Sequence, residues 1–321
     1  GLMRQLLKED NLFTNISATE ILDKTDKFFR YKTKLIPTLA TELEFYFIGD
    51  AADNKLQSKI TATNKELLTI CKKEKIGLYP EIIPETGNLQ YEVKFKHHDD
   101  VLKLAADTEK FKEVVLSTAR KNSLRATFAA KPHGNNDMGS GLHIHLSLKD
   151  ANQSQPVFSK VGDGYNSHMN HVIAGMLSLM PESLCLCVAG EEDMARFTEK
   201  ISLAADKVRF QSNTTNAPTH ICWGYNNRSA ALRIPDYHQD YQNIHIEHRL
   251  SSASANSYLV ISSVLIAAMH GLENKLQPKD RIYGIASNTE YNLDKISNSY
   301  QQAKEIFRNS KLRKYYQEIL T

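Results

Sequence analysis

The amino-acid sequence predicts an α+β fold. Two observations carry this reading. Four short runs alternate polar and apolar residues with the period of a half-buried strand, and the helical segments separate groups of strands instead of following each strand in a βαβ rhythm. The runs are Glu42-Leu43-Glu44, residues 89–95 around Glu92, His143-Ile144-His145 and Glu247-His248-Arg249. In a strand, residues i and i+2 point to the same face. Glu42, Glu44 and Tyr46 therefore oppose Leu43, Phe45 and Phe47. His143, His145 and Ser147 oppose Leu142, Ile144, Leu146 and Leu148, and His245, Glu247 and Arg249 oppose Ile244, Ile246 and Leu250. One face of each strand packs a core while the other carries ionisable groups.

The elements follow in order. Ser17-Ala18-Thr19-Glu20 is a capping box, with Ile16 and Ile21 placed as a hydrophobic staple, and opens a helix running to about residue 31. A strand is expected over 39–48, a loop over 53–57 and a helix over 61–74. Residues 99–121 read as an amphipathic helix, apolar at Val101, Leu102, Leu104, Ala105 and Val114. Strands over 126–130 and 142–148 flank a Gly- and Asn-rich loop, 133–140, whose composition predicts a mobile or ligand-shaped segment. A helix over 166–179 is expected to end at Pro181, with Met176, Leu177, Leu179 and Met180 as its core stripe. Strands over 221–223, 230–234 and 244–250 precede a long buried helix over 253–276 and one or two charged surface helices over 292–320. Trp223 reads as core, Glu191-Glu192-Asp193 as a solvated turn and His97-His98 as a solvated strand end. There are no internal repeats and no low-complexity tracts.

Composition narrows the function classes. The chain has 321 residues and a formal net charge of only +3, with its basic residues spread along it, so charge gives no case for nucleic acid. The longest apolar run, 258–269, is too short to span a bilayer, and the polar start shows no signal peptide. Cys71, Cys185, Cys187 and Cys222 match neither a zinc ribbon nor a disulfide framework and read as reduced thiols of a cytoplasmic protein.

The chemistry lies in the acidic faces. Two carboxylates 7 Å apart repel by about 2 kcal/mol at an effective dielectric near 20. Several gathered in one cleft either raise their pKa values or bind cations. Oxygen ligands with one or two histidines suit Mg²⁺ or Mn²⁺. Two other readings stay open on the residues alone: each glutamate as an exposed outer-face group, and His143 with His145 as half of a zinc site.

Five segments, in order, carry a family resemblance. They are Glu42-Leu43-Glu44-Phe45, Glu85-Thr86-Gly87-Asn88-Leu89-Gln90-Tyr91-Glu92, Gly139-Ser140-Gly141-Leu142-His143-Ile144-His145-Leu146-Ser147-Leu148, Asn227-Arg228-Ser229-Ala230-Ala231-Leu232-Arg233-Ile234-Pro235, and Glu247-His248-Arg249 leading into Ala255-Asn256-Ser257-Tyr258-Leu259. Over about 39–272 the chain resembles the catalytic domain of glutamine synthetases and related γ-glutamyl–amine ligases. The resemblance implies a curved antiparallel sheet, a partial barrel with flanking helices of the kind shared with guanido kinases. It implies one catalytic domain across 1–321, with a linker helix in 1–35, catalytic sheet and helices in 36–276, and C-terminal helices in 277–321.

The same resemblance implies roles. ATP phosphorylates the side-chain carboxylate of glutamate and an amine displaces the phosphate. Glu44, Glu85 and Glu92 would hold one Mg²⁺ or Mn²⁺, and Glu42, His143 and Glu247 a second, with two or three ions in all. Arg228 and Arg233 would contact phosphates, Arg249 the transferred phosphoryl group or the glutamate, and Gly139 would let backbone approach glutamate closely. Arg209 would bind glutamate, and His145 and Ser147 would lie beside the nucleotide. Arg228 and Arg233 are five apart, so both reach one face only with a bulge or a loop at Arg228.

The chain also departs from the family pattern. Only 41 residues precede Glu42, where the family places a β-grasp domain with an acidic loop that helps bind and deprotonate ammonium. Asn216 precedes Ala217-Pro218, where ammonia-using members carry a catalytic glutamate, and an amide cannot take a proton from ammonium. Met138 stands where an asparagine often precedes the glycine. The expectation is therefore an ATP- and Mg²⁺-dependent ligase joining glutamate to an organic amine, working without nucleic acid or membrane. It would assemble as a homo-oligomer or with a partner supplying the β-grasp half. Two alternatives stand beside it: a nucleotide-binding protein without turnover, and a glutamine synthetase completed in trans.

Overall fold

The computed structural model describes residues 11–321 apart from 14, 135–136, 199–216 and 239. Its centre is one eight-stranded sheet. The strands are β1 (Leu35–Ile48), β2 (Leu78–Pro84), β3 (Gln90–Phe95), β4 (Arg125–Thr127), β5 (Leu142–Asp150), β8 (Trp223–Tyr225), β9 (Leu232–Ile234) and β10 (Ile246–His248). They run in the order β2-β3-β1-β5-β10-β9-β8, with β4 also pairing with β1. The sheet does not close on itself. Every pair is antiparallel except β8 with β9. A separate hairpin joins β6 (Lys160–Val161) to β7 (Gly164–Tyr165).

Helices cover the apolar face of the sheet. They are α1 (Ala18–Thr33), α2 (Asn54–Lys73), α3 (Val101–Lys121), α4 (Ser167–Ser183), α5 (Ser257–Glu273), α6 (Tyr300–Arg308) and α7 (Lys311–Leu320). Leu43, Phe45 and Phe47 have no exposed surface, as their alternation with the glutamates predicts. Phe111 of α3 meets Phe45 and Phe95 edge-on, with ring centroids 6.0 and 5.8 Å apart. Behind this layer α5 is buried along most of its length. It crosses α4 where Gly175 faces Gly271, and Thr25 of α1 hydrogen-bonds its Ser262 at 2.9 Å. The Met176, Leu179 and Met180 stripe and Trp223 are core, as expected.

Several boundaries differ from the sequence expectation. Of the residues expected as a loop at 53–57, 54–57 already belong to α2, which the Asp53 side chain caps by accepting from Lys55 N at 2.8 Å. Pro181 does not stop α4, which runs on to Ser183 with the proline in its last turn. Helix α5 starts at Ser257, not 253, capped by Asn256. The C-terminal segment holds two helices, the first opening only at Tyr300. Strand β2 was not anticipated; its prolines and exposed residues suit an edge strand, where no second neighbour needs its N–H groups. No described helix is long and apolar enough to cross a membrane.

Candidate active site

The acidic runs come together through strand register. Across β3, β1 and β5, Lys94, Glu42 and His143 stand in one row. Glu92 faces Glu44 in the next same-face row. Across β5, β10 and β9, His145, Glu247 and Arg233 form a third. The strands belong to distant parts of the chain, so their ladders do the gathering.

A cavity of about 250 Å³ opens on these rows. Its wall holds Glu42, Glu44, Glu85, Glu92, His143, Glu247, Gly139, Arg228, Arg233 and Arg249. Arg228 lies in the turn before β9, which resolves the five-residue spacing to Arg233. A second cavity of about 510 Å³ adjoins it, sharing Glu42, Lys94, Arg228 and Arg233 and adding His97, His145 and His245. His97 faces this space, where the sequence had placed a solvated strand end, and His98 turns away to accept from Asp100 N at 2.8 Å. Ser147 pairs with Thr38 further along β5 and is not in either wall. Arg209 and Asn216 lie outside the described residues.

Two residues of the site were not anticipated. Lys94 Nζ sits 2.7 Å from Glu42 Oε1 and 3.3 Å from Glu92 Oε1. The alternation of β3 already puts Lys94 on the face of Glu92, so parity was the signal that could have found it. Arg196 comes from a 3-10 helix, Glu191–Phe197, where the sequence suggested a solvated turn. Glu191 and Glu192 are exposed, but Asp193 is buried and accepts from Ala189 N and Ser254 Oγ, each at 2.5 Å. Arg196 then donates to the Arg249 and Leu250 carbonyls at 3.0 and 2.8 Å. This explains Gly139 in part: a Cβ there would stand 3.0 Å from Ala130 O and 3.2 Å from Arg196 Cγ.

The 137–141 loop is tied down, not loose. Tyr46 donates to Met138 O at 2.8 Å, Gln90 Nε2 to Gly139 O at 3.0 Å, and Asn88 N to Asp137 Oδ2 at 2.8 Å. Gly141 N in turn donates to Glu44 Oε2 at 2.7 Å.

Electrostatics divide the carboxylates. Burial and Glu85 push Glu44 up to about 7. Burial, Glu42 and Glu44 push Glu92 up to about 9. Burial opposes ionisation of Glu42, yet His145 and His143 hold it well below the usual range. Glu247 is depressed in the same way, against burial, chiefly by Arg249 and His143. It takes 2.7 Å from Arg233 Nη1 and is also bonded by Arg249 Nη1. Burial and Arg249 lower His143 to about 4. Burial would lower Lys94, but Glu42 and Glu92 raise it.

The side chains suit a divalent ion. Two sets of donors close to within 4.8 Å, Glu42–Glu92–His143 and Glu42–His145–Glu247. The resemblance divided the same groups differently; Glu44 and Glu85 belong to neither set and Glu42 to both. Both ring nitrogens of His143 and Nε2 of His145 are buried without a well-formed hydrogen bond, although His143 Nδ1 lies 3.3 Å from Glu247 Oε1 and His145 Nε2 lies 3.4 Å from Glu42 Oε1. Such atoms are rare in folded proteins and are explained by a missing partner such as a metal. Carboxylates with imidazole suit Mg²⁺ or Mn²⁺. None of the four cysteines lines the cavity, so a cysteine-bound structural zinc has no ligands there.

The comparisons with known proteins agree with this architecture. The glutamine synthetase catalytic-domain family matches residues 54–320, and the chain belongs to that family. The match starts after Glu42 and Glu44, so the place of these two in the site rests on geometry. The chain is 29% identical over 302 residues to the γ-glutamylputrescine synthetase PuuA of Escherichia coli K12, covering 87% of this chain and 60% of that protein. It is 31% identical over 236 residues to a glutamate–isopropylamine ligase of a Pseudomonas species, covering 71% and 46%. It thus spans about half to three-fifths of these relatives. Among solved structures, the GmaS/ADP complex superposes with a TM-score of 0.78 at 21% identity, over 94% of this chain and 70% of that one.

Proposed function

We propose that the protein takes part in ATP-dependent ligation of glutamate, through its γ-carboxylate, to an organic amine. The observation that carries this is the convergence of six acidic or imidazole donors and four arginines on one small cavity beside a larger one. The larger cavity, walled by His97, His145 and His245, would take the nucleotide, and the smaller one the reacting carboxylate and phosphoryl group. Glu42, Glu92, His143, His145 and Glu247 would hold Mg²⁺ or Mn²⁺, with Glu44 and Glu85 lining the same cavity. Bound there, the ions would neutralise phosphate charge.

The residues of the chain supply the rest. Arg228 and Arg233, shared by both cavities, would hold the phosphates across the divide. Arg249 is fixed by Glu247, by the Arg228 carbonyl at 3.1 Å and through Arg196, and would face the transferred group without reorganising. The γ-phosphoryl passes from ATP to the glutamate carboxylate, releasing ADP. The amine nitrogen then forms the new C–N bond as phosphate leaves and a proton is lost.

An amine rather than ammonia is favoured by Asn216, which cannot act as a base toward ammonium. The names of relatives that ligate putrescine and isopropylamine support the same class. The four buried, unbridged cysteines support a reducing compartment such as the cytoplasm. The test is phosphate release with ATP, Mg²⁺, glutamate and a panel of amines, with mass spectrometry of the product. A γ-glutamyl amide is expected with at least one organic amine. Nucleotide binding that raises the melting temperature while no amine gives phosphate would replace ligation by binding alone.

A further inference from the structure

Lys94 stands where the two cavities meet and lines both. It is the β3 partner of Glu42, and Glu92 lies two residues back on the same face, so its ammonium reaches both carboxylates. These are the carboxylates that, with His143, form one donor set, and Glu42 also serves the other. A divalent ion on Glu42 and Glu92 would need the oxygens the ammonium now approaches. Two cations held that close repel strongly. The lysine is a point charge on a flexible four-carbon stem, with 42% of its side chain exposed, so it has room to turn away. On its other side lies the cavity whose wall holds Arg228 and Arg233, with Glu42 and Asp236 also in its lining.

We propose that Lys94 is a tethered counter-cation that couples divalent-ion binding to polyphosphate binding. The ammonium neutralises Glu42 and stands against Glu92 until a polyphosphate in the adjoining cavity draws it off, and only then does the cage accept the metal well. A lysine placed merely for charge balance would not need to line both cavities. The idea rests on the assignment of the acidic cavity to divalent ions.

The test is Mn²⁺ binding to the whole chain, followed by the electron paramagnetic resonance of the free ion. It is run alone and with inorganic tripolyphosphate, subtracting Mn²⁺ bound by tripolyphosphate in protein-free titrations. Wild type should bind Mn²⁺ weakly alone and about tenfold or more tightly with tripolyphosphate. Lys94→Met should bind it about tenfold more tightly than wild type without polyphosphate and show little further gain. Lys94→Arg, which keeps the charge, should retain the wild-type pattern, and circular dichroism checks the fold of both. Equal Mn²⁺ affinity of wild type and Lys94→Met without polyphosphate overturns the coupling alone. No Mn²⁺ binding by any of the three overturns the cage assignment and the coupling with it.

Discussion

Glu247 and Arg233 face each other across β10 and β9, joined by a 2.7 Å ion pair in which the glutamate has no exposed surface. Arg249 bonds the same carboxylate from the other side, and Lys94, Arg196 and Arg228 complete a belt of cations round the acidic cavity. The sheet face is thus balanced, and each group depends on its counter-charge.

Neutralising Glu247 should therefore be costly. Glu247→Gln leaves Arg233 and Arg249 facing a neutral amide, and breaking a buried pair on one side typically destabilises by about 3 kcal/mol or more. Urea denaturation should show a lower midpoint, and Mn²⁺ affinity should drop at least tenfold. An unchanged midpoint would show that the pair contributes little to the fold.

Divalent-ion binding should release protons. Glu44 and Glu92 titrate near 7 and 9 because burial and neighbouring carboxylates hold them protonated. An ion held by Glu42, Glu92 and His143 competes with the Glu92 proton, so affinity should rise as pH climbs toward about 9. Calorimetry in two buffers of different ionisation heat would count the released protons. Glu92→Gln should reduce the count at pH 8, and a pH-independent affinity would contradict the assigned environments.

His248 should contribute a loss of stability to the metal-free protein on mild acidification. His248, buried on the opposite face of β10, is lowered to about 4 by burial, His143 and Arg196. Its folded pKa lies below its unfolded value near 6.5, so between those pH values the unfolded chain binds a proton that the folded chain does not. Stability then falls as pH drops through that window. Denaturation in EDTA at pH 7 and pH 5 should show the loss, and His248→Leu should make the dependence shallower.

The α4–α5 crossing should tolerate no extra atom. A Cβ on Gly175 would overlap Ala267 O and come within 2.5 Å of Gly271 N. Gly175→Ala should lower stability by about 2–3 kcal/mol through overpacking. An unchanged thermal midpoint would mean that the two helices separate more easily than their packing implies.

How much of this was legible from the chain follows from the range of each interaction. Parity along a strand is local, so the sequence alone determined which glutamates and histidines share a polar face, which phenylalanines lie behind them, and which family the chain resembles. Capping is local as well, and Ser17 was found that way; Asp53 was missed because a polar run after a strand resembles a loop. Only the tertiary structure decided which polar faces meet. Glu42 gains Lys94 and His143 as neighbours through ladders to β3 and β5, strands far from it in sequence. Arg196 enters the site only because a buried Asp193 folds its short helix inward. Strand register and long-range burial depend on the whole chain at once, and no local pattern records them.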